Sequence, residues 1–164
     1  MHVAKVIEAT DPHAAWATMS VKMLTRIFLY GLLVGIVSFA LYVGLERFVF
    51  EPVLCRDSVA LARCETKDEI AAGSAIVLGS LLGLFLLVRE RVYRPILAIL
   101  GVMVALWGIF GLVGSLPVVL AAVVATLLFA LAYVLFSWLV QPTSLVISLV
   151  GVVVAAALAR LAIG

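Results

Sequence analysis

The chain carries few side chains that could do chemistry, and its two cysteines are the most specific of them. Cys55 and Cys64 are the only cysteines, and eight residues separate them. A disulfide is the natural interpretation if this segment faces an oxidising space, and closing it would remove on the order of 2 to 3 kcal/mol of unfolded-state entropy. Free or metal-bound thiols, or a redox-catalytic pair, are the alternatives. Redox catalysis is disfavoured, because thiol oxidoreductases use a closely spaced Cys-x-x-Cys and a second exchanging pair, and this chain has neither.

Other catalytic signatures are missing from the sequence. The only histidines, His2 and His13, lie near the amino terminus, too far along the chain to reach the centre of a helical bundle. No nucleophile and base pair, metal-ligand cluster or phosphate-binding loop is present. We therefore predict no catalytic residues, no metal site, no cofactor and no enzymatic activity. A net charge of +2 without a soluble domain also argues against nucleic acid as a partner.

Uncharged hydroxyls are the remaining polar groups in the apolar segments. The sequence predicts that each bonds a backbone carbonyl of its own helix, four residues back, while lining a path for a neutral solute is the alternative. These residues are Ser38, Tyr42, Ser74, Ser80, Thr126, Tyr133, Ser137 and Ser148.

An unusually apolar composition determines the structural elements that must position these groups. Hydrophobic residues make up 66% of the 164 residues, and residues 95–159 contain no Asp, Glu, Lys, Arg or His. As one helix this stretch would reach about 97 Å, near three times a ~30 Å hydrocarbon core, so it must fold back twice. We predict an all-α, polytopic transmembrane helical bundle in contact with membrane lipid, formed by residues 24–164 behind an interfacial segment, 1–23.

About five spans are expected, near residues 27–45, 70–88, 95–113, 116–139 and 144–161. Pro95, Pro117 and Pro142 fall where new helices should begin, because proline lacks the donor that a first-turn residue leaves unpaired. If one proline only kinks a longer helix, four spans result. The loop 46–69 carries both cysteines, and we expect it to be disulfide-closed and extracytoplasmic.

Charge sets the predicted orientation. Three arginines within residues 89–94, together with basic residues near the amino terminus, favour a cytoplasmic amino terminus and, with five spans, an extracytoplasmic carboxyl terminus. The excess of arginine over lysine hints at a bacterial source. We therefore predict that the protein is located in a bacterial inner (plasma) membrane.

Small residues recur at helical spacing and predict close helix packing. Either the helices of this chain or a second protein would use such seams. The predicted seam residues are Ala71, Ala75, Gly79 and Gly83 in the second span, Gly31 and Gly35 in the first, and Gly151 and Ala155 in the fifth.

One ion pair is predicted at the extracytoplasmic side. Glu46 ends the first span and Arg160 lies in the last span, and first and last helices of small bundles are often neighbours. The alternative is that Arg160 extends to the interface alone.

Two classes of function fit these observations. The first is a non-catalytic accessory, assembly or scaffold subunit of a membrane complex, held by a membrane-protein partner. The second is a channel or carrier for a neutral or lipidic substrate that works as a homo-oligomer.

Overall fold

The computed structural model describes residues 20–55, 66–90, 92, 94–141 and 145–163, and the regular structure within these ranges is all helical. The all-α prediction is confirmed, while the predicted 1–23 segment lies almost wholly outside the described residues. In chain order the helices are α1 (Val21–Gly44), a π-helical segment (Leu45–Phe50), α2 (Glu51–Leu54), α3 (Lys67–Arg89), α4 (Pro95–Leu106), α5 (Ile109–Val113), α6 (Val118–Leu139) and α7 (Leu145–Ile163).

Three helical stretches are long and apolar enough to cross a membrane. They are Val21–Val53, which joins α1 to the segments after it, and the helices α3 and α6. Two further helices, Pro95–Leu106 and Leu145–Ala159, are apolar but shorter. Large apolar side chains cover the outer faces, as with Phe85, which is 64% exposed. Such a surface suits acyl chains, because helices satisfy their own backbone hydrogen bonds.

Two predicted boundaries differ from the structure. The loop expected from residue 46 begins later, since helical structure continues through Leu45–Phe50 and Glu51–Leu54. The charged residues that follow the first apolar run are more stable in water than in lipid. Exposure to water does not by itself end a helix, so the chain stays helical beyond its apolar part. The third predicted span, 95–113, is not one continuous helix, because it breaks at Gly108, where φ is 89°.

Four helices form a closed ring. α1 packs against α3 and α6, and α4 packs against the same two helices from the opposite side. The largest fully buried side chains are Phe110, Phe129, Tyr133 and Phe136. α7 lies outside the ring, mainly against α4 and to a lesser extent against α6. It therefore buries only one narrow face.

Polar contacts identify the two ends of the bundle. Arg26 near the start of α1 lies 3.5 Å from Glu90 after α3, and we call this the Glu90 end. At the opposite end, the Glu46 end, Lys67 at the start of α3 lies 3.7 Å from Glu46. α1 and α3 are thus antiparallel. In contrast, α4 and α7 run parallel, since Arg94 and Ser148 meet near the starts of both helices.

Candidate functional site

A cavity of about 800 Å³ opens at the Glu46 end of the bundle. It lies between the end of α1, the start of α3, the break between α4 and α5, and the start of α6, and we call it the Glu46-end cavity. Its volume falls in the range of small-molecule sites, about 300 to 1,000 Å³. Its lining includes apolar and aromatic residues (Phe39, Tyr42, Ala72, Ile76, Trp107, Phe110 and Ala121) and charged residues (Glu46, Arg47, Asp68 and Glu69).

The floor of the cavity is aromatic. The rings of Tyr42 and Phe110 stack with centroids 4.7 Å apart and an interplanar angle of 7°. Phe39 lies against the same Phe110 ring, at 6.4 Å between centroids. Phe110 is fully buried, whereas Tyr42 and Phe39 are half-buried. The floor therefore offers a rigid apolar surface with one hydroxyl at its edge.

The break in the third span places Phe110 in this floor. Trp107 ends α4 in an extended conformation (ψ 122°), and Gly108 follows in the left-handed region. Only glycine adopts that region readily, so the chain can turn here and restart as α5. The indole of Trp107 lies beside Gly73 of α3 and is 48% exposed. The predicted continuous span 95–113 does not include this break, and Gly108 and Gly111, close together in an apolar run, are its only signal in the sequence.

The rim of the cavity is charged, with carboxylates in excess. Glu46 and Arg47 come from the π-helical segment, and Asp68 and Glu69 from the first turn of α3. Acidic residues in a first turn also interact favourably with the helix dipole. Lys67 pairs with Glu46 at 3.7 Å. Polar and apolar surfaces thus meet within one cavity.

The Glu90 end carries a separate polar cluster. The hydroxyl of Tyr30 donates to Glu90 at 2.7 Å, and Arg26 donates to the other carboxylate oxygen at 3.5 Å. The Tyr30 hydrogen bond, assisted by Arg26, lowers the pKa of Glu90 below its ordinary value, although partial desolvation opposes the shift. Arg94 caps α4 with a left-handed backbone (φ 54°) and donates to Ser148 on α7 at 3.5 Å. This cluster ties helix ends together.

The predicted small-residue seams fall into two kinds of contact. Gly31 and Gly35 of α1 face the backbone of α6: a Cβ added to them would lie 2.6 Å from Ala130 Cα and 2.8 Å from Thr126 Cα, respectively. The backbones of α1 and α6 therefore approach each other closely at these two positions.

Gly79 and Gly83 of α3 instead receive side chains. The hydroxyl of Ser38 lies against Gly79, and the hydroxyl of Tyr133 lies against Gly83. Their neighbours along the helix, Ala71 and Ala75, are fully buried. On α7, Gly151 is half-buried and a Cβ there would meet Leu139 at an ordinary 3.5 Å, while Ala155 is half-buried beside it.

Four buried hydroxyls contradict the expected bond to their own helix. Within the described part of the chain, no hydrogen-bond partner reaches the side-chain oxygens of Ser38, Ser80, Tyr133 or Ser137. By contrast, the exposed Thr25 does bond the carbonyl of Val21, at 2.9 Å. The prediction is therefore wrong for these three serines and for Tyr133.

The cysteine and ion-pair predictions fall partly outside the described residues. Cys55 ends α2, but Cys64 is not among the described residues, so the disulfide stays a prediction. The side chain of Arg160 is likewise outside them, and the pair with Glu46 also stays a prediction. The described partner of Glu46 is Lys67, because the π-helical segment packs directly against α3.

Comparison with known proteins gives no assignment. Among the described residues, no group of three or more His, Cys, Asp or Glu side chains is arranged to hold a metal ion. No protein-family model matches the chain, and no curated protein or solved structure matches it either.

Proposed function

We propose that this chain is a non-catalytic integral membrane protein that binds and carries a neutral or lipidic amphiphile through the Glu46-end cavity. The observation that supports the proposal is that two irregular backbone segments border one cavity. The π-helical segment supplies Glu46 and Arg47, and the break at Gly108 supplies Phe110. Irregular backbone at membrane depth is tolerated where it lines a cavity, and both π-helical turns and interrupted helices occur frequently at functional sites.

The lining supports an amphiphile over a purely polar or apolar ligand. An acyl or aromatic group would pack on the half-buried Phe39 and Tyr42 rings, where burial removes apolar surface from water. A polar head would remain at the rim, close to Asp68 and Glu69, both of which are exposed. The cavity thus offers an apolar floor below a hydrated rim, as a lipid-like molecule requires.

The membrane setting is part of the same proposal. We place the Glu90 end in the cytoplasm of a bacterial inner membrane, with five spans and an extracytoplasmic Glu46-end cavity. A Cys55 to Cys64 disulfide would then close the loop that follows α2 in an oxidising space. Since the π-helical segment and α2 lead directly into that loop, the bridge would restrain one wall of the cavity.

Fluorescence of a single tryptophan tests the binding step. Trp16→Phe with Trp138→Phe leaves only Trp107, which lies at the cavity. In mild detergent, a lysophospholipid with a brominated acyl chain should quench Trp107 saturably. Trp138 lines a separate apolar groove on the outer surface, so a single-Trp138 chain reports quenching by lipid bound outside the cavity.

A matched pair of glycine substitutions separates cavity binding from contact with bulk lipid. A Cβ at Gly111 or at Gly44 meets no atom within 4 Å, but only Gly111 lines the cavity. Gly111→Leu should therefore weaken saturable quenching by about tenfold or more, which is ~1.4 kcal/mol, while Gly44→Leu should leave it unchanged. Equal quenching in both variants would contradict the proposal.

A second candidate, an accessory or scaffold subunit, is favoured by a groove on the outer surface. The groove measures about 460 Å³, lies between α4, α6 and α7, and is lined almost entirely by apolar residues such as Leu106, Leu135 and Ala159. A helix of a partner protein would fill it as well as lipid would. Co-purification at a fixed ratio with a different membrane protein would favour the subunit, whereas isolation alone or as a closed homo-oligomer would favour the carrier.

A further inference from the structure

Four hydroxyls stand out in the interior of the ring because no group of the described residues forms a hydrogen bond with them. Ser38 and Ser137 are 0% exposed, Tyr133 is 1% exposed and Ser80 is 3% exposed. None of their side-chain oxygens has a hydrogen-bond partner among the described residues. Folded proteins pair about nine in ten or more of their buried polar groups, so four orphans in one small bundle need an explanation.

These hydroxyls follow one another along the bundle, and we call them the hydroxyl column. Ser38 lies one helical turn below Tyr42 of the cavity floor, with its oxygen against Gly79. Ser80 adjoins Gly79 on α3. One turn nearer the Glu90 end, the hydroxyl of Tyr133 lies against Gly83, and Ser137 follows a turn later on α6. The column therefore starts beneath the Glu46-end cavity and continues towards the other end.

The chemistry of the column limits what can satisfy it. Contacts with glycine Cα–H groups, such as those at Gly79 and Gly83, are weak hydrogen bonds at best. The members of the column are neutral hydroxyls, which neither compensate the charge of an ion nor provide a full coordination shell. Water suits such groups, because one molecule both donates and accepts and is small enough to lie between packed helices.

We infer that the hydroxyl column binds a file of water molecules, which extends a hydrated path from the floor of the Glu46-end cavity into the interior of the ring. The path is selective for neutral hydrogen-bonding species, because its walls combine hydroxyls with apolar side chains. This inference rests on the orphaned hydroxyls and holds whether or not the cavity binds an amphiphile.

Cysteine accessibility tests the path directly. Ser38→Cys, Ser80→Cys and Ser137→Cys each replace a column hydroxyl by a thiol of similar shape. Their matched controls are equally buried apolar positions on the same three helices: Val34→Cys, Ala75→Cys and Ala130→Cys, all at 0% exposure in the parent.

The probe is methyl methanethiosulfonate, a small neutral reagent that reacts with thiolates and so needs water at the thiol. Labelling of the folded protein in mild detergent is followed by intact-mass spectrometry, and the parent chain, which holds Cys55 and Cys64, sets the background. Column positions should react at least about tenfold faster than their controls. Equal rates within the pairs would overturn the inference.

A second measurement does not depend on any introduced cysteine. In Tyr133→Phe only the hydroxyl is lost. If that hydroxyl bonds to water, its removal leaves the water unsatisfied and the Tm in detergent should fall. If the hydroxyl is dry and orphaned, its removal relieves a desolvation cost and the Tm should rise or stay the same. A fall supports the column, and a rise or no change overturns it.

Discussion

The backbone contact between α1 and α6 can be tested by adding a single methyl group. Gly31→Ala would place a Cβ 2.6 Å from Ala130 Cα, and Gly35→Ala would place one 2.8 Å from Thr126 Cα. Both obstacles are backbone atoms, so no rotamer change on α6 can relieve them. The two helices must instead move apart, and they form the most extensive helix pair of the bundle.

The size of the effect follows from these distances. Ordinary van der Waals contact of a Cβ begins near 3.4 Å, so the shortfall is 0.8 Å for Gly31 and 0.6 Å for Gly35. Overpacking of this kind costs about 1 to 3 kcal/mol, against a gain of up to ~1 kcal/mol for replacing glycine by alanine inside a helix. We expect a net loss of about 1 to 2 kcal/mol for each variant. The double variant should lose less than the sum, because one separation of the helices relieves both clashes.

The assay is equilibrium unfolding in mixed detergent micelles, followed by circular dichroism. Gly44→Ala is the control, because a Cβ there meets no atom within 4 Å. It should gain about 0.5 to 1 kcal/mol from helix propensity alone. If Gly31→Ala and Gly35→Ala are as stable as Gly44→Ala, then α1 and α6 do not approach as closely as the structure has them, and the reasoning fails.

Three further predictions follow from other parts of the structure. Gly83→Ala should destabilise the chain, because its Cβ would overlap the Tyr133 hydroxyl. Adding Tyr133→Phe to the same chain should restore part of the lost stability. Purely additive effects of the two substitutions in the unfolding assay would refute the contact. The pKa of Glu90 is lowered in the folded state, so Glu90 stabilises the fold above its ordinary pKa of 4.5, and this stabilisation is lost as the pH falls through the folded-state pKa. Glu90→Gln should therefore reduce the fall of Tm at acid pH. If the fall of Tm is unchanged in Glu90→Gln, the cluster does not stabilise the fold. In a Cys55→Ser variant, a membrane-impermeant maleimide should label Cys64 on intact cells, whereas labelling only after lysis would reverse the proposed orientation.

The helical architecture was predictable because it depends on local and compositional signals. Long apolar segments must be helical in lipid, and their lengths follow the thickness of the bilayer. Proline acts locally, so Pro95 does begin α4 and Pro117 directly precedes α6. These features need no knowledge of which helices are neighbours.

The cavity could not be predicted, since it arises from contacts between helices. Glycine is frequent in membrane helices, so Gly108 alone does not predict a break in the helix. The stacking of Tyr42 on Phe110 joins residues from α1 and α5, and no periodicity along the chain reports that contact. Likewise, Glu46 meets Lys67 because the end of the first helical stretch packs on the start of α3. The sequence supplied candidate charges for an ion pair but no information on the neighbour.

The place of α7 outside the ring bears on how the chain is made. Every contact that closes the ring of α1, α3, α4 and α6 joins residues that precede α7. The ring can therefore form before α7 is synthesised, and α7 can dock beside the parallel α4 as a separate step. Because α7 buries mainly a narrow face that includes Ser148, Val152 and Ala156, its release would expose the side of α4 without opening the ring.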